Sequence, residues 1–107
     1  MSWKVVLSRE AQKEFDGLNQ SIKPQIAKGI YKVAQNPLPR QEGGYGEALG
    51  HRHGLDLSGL FKIKFKKPGV RVVYQLKRHN ETMVVIVVGI RADNEVYHSA
   101  FQRKDRL

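Results

Sequence analysis

Apolar positions along the chain change their period several times, and each change marks an element. Trp3 to Leu7 is a short β-favouring run, and Ser8 follows it where a helix N-cap belongs, with Glu10 and Glu14 in the turns beyond. Ala11, Phe15 and Leu18 recur at i, i+4 and i+7, which predicts a helix of about 10 residues closing near Gly17 to Asn19. Ser21 is the expected cap of a second helix, with Pro24 still inside the first turn, where its missing N–H costs little. Ile22, Ile26, Ile30 and Val33 give that helix one apolar stripe, Lys23, Lys28 and Lys32 face outward, and Asn36-Pro37 stops it. Two helices joined by so few residues form an antiparallel hairpin whose shared apolar face needs a sheet to cover.

From Pro37 to Ser58 the pattern dissolves into two prolines, five of the ten glycines and no sustained period, which predicts a long loop. Alternation returns in Phe61-Lys62-Ile63-Lys64-Phe65-Lys66, a half-buried strand with its aromatics inward and Lys62, Lys64 and Lys66 on the other face. Lys67-Pro68-Gly69 turns the chain into Val70 to Leu76, where Val70, Val72 and Tyr74 share one side and Arg71, Val73 and Gln75 the other. After a turn at Arg78 to Glu81, Thr82 to Ile90 is apolar at both parities, as in a central strand covered on both faces. Asn94 is the expected cap of a last helix from about Glu95, carrying Val96, Tyr97, Ala100 and Phe101. The predicted fold is a small α+β domain of order β-α-α-β-β-β-α: an N-terminal strand and an antiparallel helical hairpin packed on a small, mainly antiparallel sheet. With 107 residues the expectation is one domain, in which 1–36 hold the strand and hairpin, 37–58 the loop, and 59–107 the sheet and the helix that carry the site.

Composition narrows the partners. Nineteen Lys and Arg against ten Asp and Glu leave a net charge of +9, typical of chains that meet polyanions. The excess is lopsided: residues 1–58 carry eight basic and six acidic groups, whereas residues 59–107 carry eleven basic and four acidic. The basic residues alternate along strand-like runs instead of lining an amphipathic helix, so the favoured partner is nucleic acid or ribonucleoprotein and not a membrane surface, with a strongly acidic protein as a further candidate. The absence of cysteine excludes a disulfide framework, a thiolate nucleophile and cysteine-ligated metal sites. Lys4, Arg9 and Glu10 come too early for a secretory apolar region, and the longest apolar run, Met83 to Val88, is too short to span a bilayer, which predicts a cytoplasmic protein.

Candidate chemistry concentrates in the second half. Lys62 and Lys64 on one strand, Arg71 on the next and Arg91 just past the third converge if the meander forms, and such a cluster suits a polyanion. Taken alone, alternating lysines on a strand are a solvated face; convergence is what gives them meaning. Crowded cations also repel, so a lysine among them gives up its proton more readily and can serve as a base. Tyr97 is an aromatic within six residues of Arg91, suited to stacking on a base or to packing on the sheet. His51-Arg52-His53 has only Asp56 for company and reads as a mobile basic loop, not a metal site. Gly43-Gly44-Tyr45-Gly46 lacks the Gly-Lys-Ser/Thr of a phosphate loop, His79 belongs to a turn, and His98 is a reserve proton carrier.

Three blocks in order, Phe61-Lys-Ile-Lys-Phe65, Gly69-Val-Arg-Val-Val-Tyr-Gln75 and Gly89-Ile-Arg-Ala-Asp-Asn-Glu-Val-Tyr97, resemble the sheet and C-terminal segment of RelE-type toxins in the RelE/ParE superfamily of toxin–antitoxin systems. The resemblance is close over residues 59–101 and compatible over the first 40; the Pro37–Ser58 loop is longer and richer in glycine than the family's connection. It implies a metal-independent, cofactor-free endoribonuclease that cuts messenger RNA in the ribosomal A site against the 16S rRNA. It also implies a cognate acidic antitoxin and a toxin–antitoxin hetero-oligomer. The family's catalytic cations and tyrosine fall on Lys62, Lys64, Arg71, Arg91 and Tyr97. The implied reaction is attack of a ribose 2′-OH on the adjacent phosphate, with Lys64 as base, Lys62 and Arg71 holding the phosphorane charge, Tyr97 orienting the nucleotide, and Arg91 at the leaving oxygen as charge stabiliser or proton donor. Two other readings stay open: a ParE-like, non-catalytic inhibitor of DNA gyrase, which has no need of that residue set, and a basic RNA-binding module without turnover.

Overall fold

The computed structural model describes residues 2–90 and 92–104. Its elements are β1 (Lys4–Leu7), α1 (Arg9–Asp16), α2 (Lys23–Ala34), β2 (Glu47–Arg52), β3 (Leu55–Phe65), β4 (Val70–Lys77), β5 (Thr82–Gly89) and α3 (Asp93–Arg103), with single 3-10 turns at Arg40–Glu42 and Arg78–Asn80. The five strands form one sheet in the order β1-β5-β4-β3-β2. β2 to β5 are an antiparallel meander, and β1 returns beside β5 in parallel, from Lys4↔Thr82 to Leu7↔Val85. The mixed α+β architecture expected from the sequence is the one observed.

The sheet is covered on both sides, which explains why β5 is apolar at both parities from Met83 to Val88. On one face Phe61, Val70, Val72, Tyr74, Met83 and Val85 pack with Ala11 of α1 and Ile26, Ile30 and Ala34 of α2. On the other, Leu49, Leu57, Leu60, Val73, Val84 and Ile86 pack with Val96, Tyr97 and Ala100 of α3. Because side chains alternate along a strand, this division sends Lys62, Lys64 and Arg71 to the α3 face. α3 is pinned there from a distance. β1 stops at Leu7, and the backbone of β5 beyond its partner is met by side chains: the Val88 N–H donates to Glu14 at 3.0 Å, and Arg103 donates to the Ile86 carbonyl at 2.8 Å while pairing with Glu14 at 2.8 Å.

Ser8 caps α1 as expected, its hydroxyl accepting from the Ala11 N–H at 3.1 Å. Two other caps differ. α2 begins after Ile22, because the Ser21 hydroxyl donates to the Asn19 side chain instead of accepting from the helix. α3 begins at Asp93 after Ala92, so Asn94 already lies inside the helix, and the Asp93 carboxylate sits in the first turn, where the helix dipole favours it.

The largest correction concerns residues 37–58. The expected loop contains β2 and the first part of β3, joined by a two-residue turn at His53-Gly54. Both turn residues have positive φ, 53° and 75°, the pairing that matches a hairpin's twist. The register between β2 and β3 slips between Ala48 and Gly50, which breaks the period and hides the strands from a pattern reading. The remaining stretch, 36–46, is knotted by its own backbone: Tyr45 N–H to the Asn36 carbonyl at 2.8 Å, Gly46 N–H to Leu38 at 2.8 Å, and Arg40 N–H to Gly46 at 3.1 Å. The buried Tyr74 hydroxyl donates to the Pro37 carbonyl at 3.0 Å, and burial raises its phenol well above the ordinary value. Gly46 fits only without a side chain, since a Cβ there would lie 2.6 Å from the Pro37 carbonyl oxygen and 2.8 Å from the Tyr74 hydroxyl.

Candidate active site

Lys62 and Lys64 share the α3 face of β3 because they are two residues apart, and the β3–β4 register sets Lys64 directly opposite Arg71 and Lys62 opposite Val73. Gly89, on the other side of Arg71 in the sheet, is two residues before Arg91 in the chain. Three of the five expected site residues are therefore brought together on neighbouring strands. The fourth, Arg91, lies outside the described residues.

Each clustered cation except Lys64 has a carboxylate at hand. Lys62 Nζ is 3.2 Å from Glu47 Oε2, across the β2–β3 register, and its side chain is only 14% exposed. Arg71 Nε pairs with Asp93 Oδ1 at the start of α3, and Arg71 Nη1 also donates to the Gly69 carbonyl at 3.3 Å. Lys64 is exposed. These carboxylates escaped the sequence reading. Glu47 fell in the stretch without a period, and the pairing of Asp93 depends on how α3 crosses the sheet.

Tyr97, expected to stack on a nucleotide, is 2% exposed. It lies in the second turn of α3 among Val73, Ile86 and Val96, and the β2–β3 hairpin brings the His53 ring onto it, with centroids 5.5 Å apart and planes tilted by 40°. His51 faces Asp56 across the same hairpin, Nε2 to Oδ1 3.8 Å, and Lys104 at the end of α3 donates to the Asp56 carbonyl at 2.7 Å. His53 thus packs on α3 and His51 faces its own hairpin partner, and among the described residues no group of His, Asp and Glu is arranged as a metal site.

On the outer side of the cluster a cavity of about 430 Å³ runs along β3, bounded by Lys32 of α2, by Arg40 and Tyr45 of the knotted turn, and by Lys62, Lys64 and Lys66. A cationic sheet face of this kind holds phosphates and can take a proton from, or lend charge to, a reacting oxygen.

A family profile described as the ParE toxin of the type II toxin–antitoxin system parDE matches residues 5–95. The mRNA interferase toxin RelE of Escherichia coli strain K12 is 30% identical over 103 residues, covering 96% of this chain and 98% of its own length. The chain is a RelE-type toxin of the RelE/ParE superfamily. A mutant of the E. coli toxin RelE in the free state shares the fold at a TM-score of 0.76, with 27% identity over 97% of this chain and 99% of that one. A RelE mutant in complex with an antitoxin RelBc peptide is similar at a TM-score of 0.67, with 26% identity over 96% and 98%. Within this family the type II toxin–antitoxin setting applies to the chain. Among its described residues, no helix is long and apolar enough to cross a membrane.

Proposed function

We propose that this toxin is an endoribonuclease that cuts messenger RNA on the ribosome by an in-line 2′-OH attack. The observation that carries the reading is the register of Lys64 opposite Arg71 with Lys62 on the same face, a cluster of cations at one place on the sheet. The name of the E. coli relative, an mRNA interferase, supports the same chemistry. Lys64 takes the 2′-OH proton as the oxygen bonds to phosphorus. Lys62 and Arg71 stabilise the charge on the phosphorane, releasing Glu47 and Asp93 as phosphate oxygens take their place. The bond to the 5′-oxygen breaks, that oxygen takes a proton from water while Lys64 returns the proton it gained to solvent, and the products are a 2′,3′-cyclic phosphate and a 5′-OH. Arg91 supports the leaving oxygen. Tyr97 orients the nucleotide, a role that requires the His53 hairpin to lift from its ring. The ribosome supplies the in-line alignment of the 2′-OH.

The ParE description of the family profile favours one second reading, inhibition of DNA gyrase without catalysis. Translating a defined message with and without the toxin and mapping 5′ ends separates the two: new ends inside ribosome-bound codons support the nuclease, and an uncut message together with blocked supercoiling supports the other. The partner that restrains the toxin is proposed to be an acidic antitoxin segment, complementary to the basic second half of the chain.

A further inference from the structure

β2 begins at Glu47, which registers with Lys62, so β3 continues through Ile63 to Phe65 with no described strand on that side. The cavity of about 430 Å³ lies along this free edge. Five cations bound it, Lys32, Arg40, Lys62, Lys64 and Lys66, against the single carboxylate of Glu47. Only Lys62 and Lys64 belong to the cluster assigned to chemistry. At its rim Tyr45 is 52% exposed, although its backbone is fixed by the bond from its N–H to the Asn36 carbonyl. The turn carrying it is tied down again by Arg78, which grips both oxygens of Glu42 at 2.9 and 3.0 Å. A rigidly held, exposed aromatic ring among cations loses little entropy when something stacks on it.

We propose that this groove is a subsite for single-stranded RNA leading to Lys64, in which one base stacks on Tyr45 and Lys32, Arg40 and Lys66 contact the backbone phosphates. A single strand fits because a flat exposed ring needs an unpaired base. Continuity with Lys64 favours RNA over an acidic protein segment. The proposal rests on the nuclease reading for the direction of the strand, but its binding test does not need cleavage.

The probe is a short 2′-O-methyl RNA oligonucleotide, which cannot undergo 2′-OH attack, titrated by fluorescence anisotropy against the full chain across a salt series. Tyr45→Ala is expected to weaken binding about 5- to 100-fold and Tyr45→Phe by less than about 2-fold, the pattern of a stacking platform. The double variant Lys32→Gln/Arg40→Gln should flatten the log–log salt dependence by about 1.4, two phosphate contacts on a single strand. Glu47→Gln should tighten binding by about 2-fold or more, since it removes the carboxylate competing for Arg40 and Lys62. Unchanged RNA affinity for Tyr45→Ala together with an unchanged salt slope for Lys32→Gln/Arg40→Gln overturns the proposal, and so does a loss of affinity confined to an Asp/Glu-rich peptide titrated in parallel. A chain that binds through Tyr45 yet cuts no message keeps the groove and removes the nuclease. One that cuts while Tyr45→Ala changes neither binding nor KM keeps the nuclease and removes the groove.

Discussion

Lys62 and Lys64 sit two residues apart on one strand, yet the fold treats them differently. Lys62 is mostly covered and held by Glu47, whereas Lys64 is exposed opposite Arg71. Substituting Lys64 by Ala should therefore lower single-turnover cleavage on ribosomes by at least about 100-fold, the scale of losing one proton-transfer group, and leave the urea midpoint where it was. Lys62→Ala should lose activity on a similar scale and also cost about 1 kcal/mol of stability, because it leaves Glu47 half-buried without its nearer cation. Tyr74 supplies a control with no place in the chemistry. Its hydroxyl anchors the Pro37 carbonyl from inside the core, so Tyr74→Phe should cost about 1 kcal/mol in chemical denaturation and loosen the turn that carries Tyr45.

At the scale of elements, α3 is held by its apolar stripe on β4 and β5, by the Arg103 link to Glu14 and the Ile86 carbonyl, by the hairpin tip over Tyr97, and at its two ends by Asp93 with Arg71 and Lys104 with the Asp56 carbonyl. Replacing Arg103 by Ala removes charge-assisted bonds and exposes the β5 backbone to a missing partner, an expected loss of about 2 kcal/mol, with faster amide exchange in α3 than in α2 as the check. The helices, β4, β5 and the second half of β3 were legible in the sequence, because α1 and α2 keep one apolar stripe, Phe61 to Phe65 and Val70 to Leu76 alternate, and β5 is apolar from Met83 to Val88. The hairpin of β2 was not. Leu49, Leu55 and Leu57 do face inward, but the slip beside Gly50 shifts their spacing, and His53-Gly54 lacks the Asn-Gly or Asp-Gly of a familiar hairpin turn. The clustering of Lys62, Lys64 and Arg71 was legible for a simpler reason: all three lie on the regular strands. Their counter-ions and the covering of Tyr97 depend on the irregular hairpin and on the crossing of α3, neither of which local spacing encodes.

Over the whole molecule, the +9 charge is concentrated in residues 59–107, and a toxin that cuts its own cell's messages, as proposed, needs a partner able to neutralise that half. If an acidic antitoxin is steered by this field, its association rate should fall steeply as salt rises while its dissociation rate changes much less; stopped-flow measurement of both rates checks this, and a flat on-rate would reserve the charge for RNA. On the proposed mechanism, the cations on β3 and β4 cut message on the ribosome through the substrate's own 2′-OH. A defined message in programmed ribosomes, with the nucleotide 5′ of the mapped cut made either ribo or 2′-deoxy, measures it directly. The expected products are a 2′,3′-cyclic phosphate and a 5′-OH at one bond with the ribo message, and no cut there with the deoxy one. Scission of the deoxy message at the same bond, or equally fast scission of naked RNA, would contradict it.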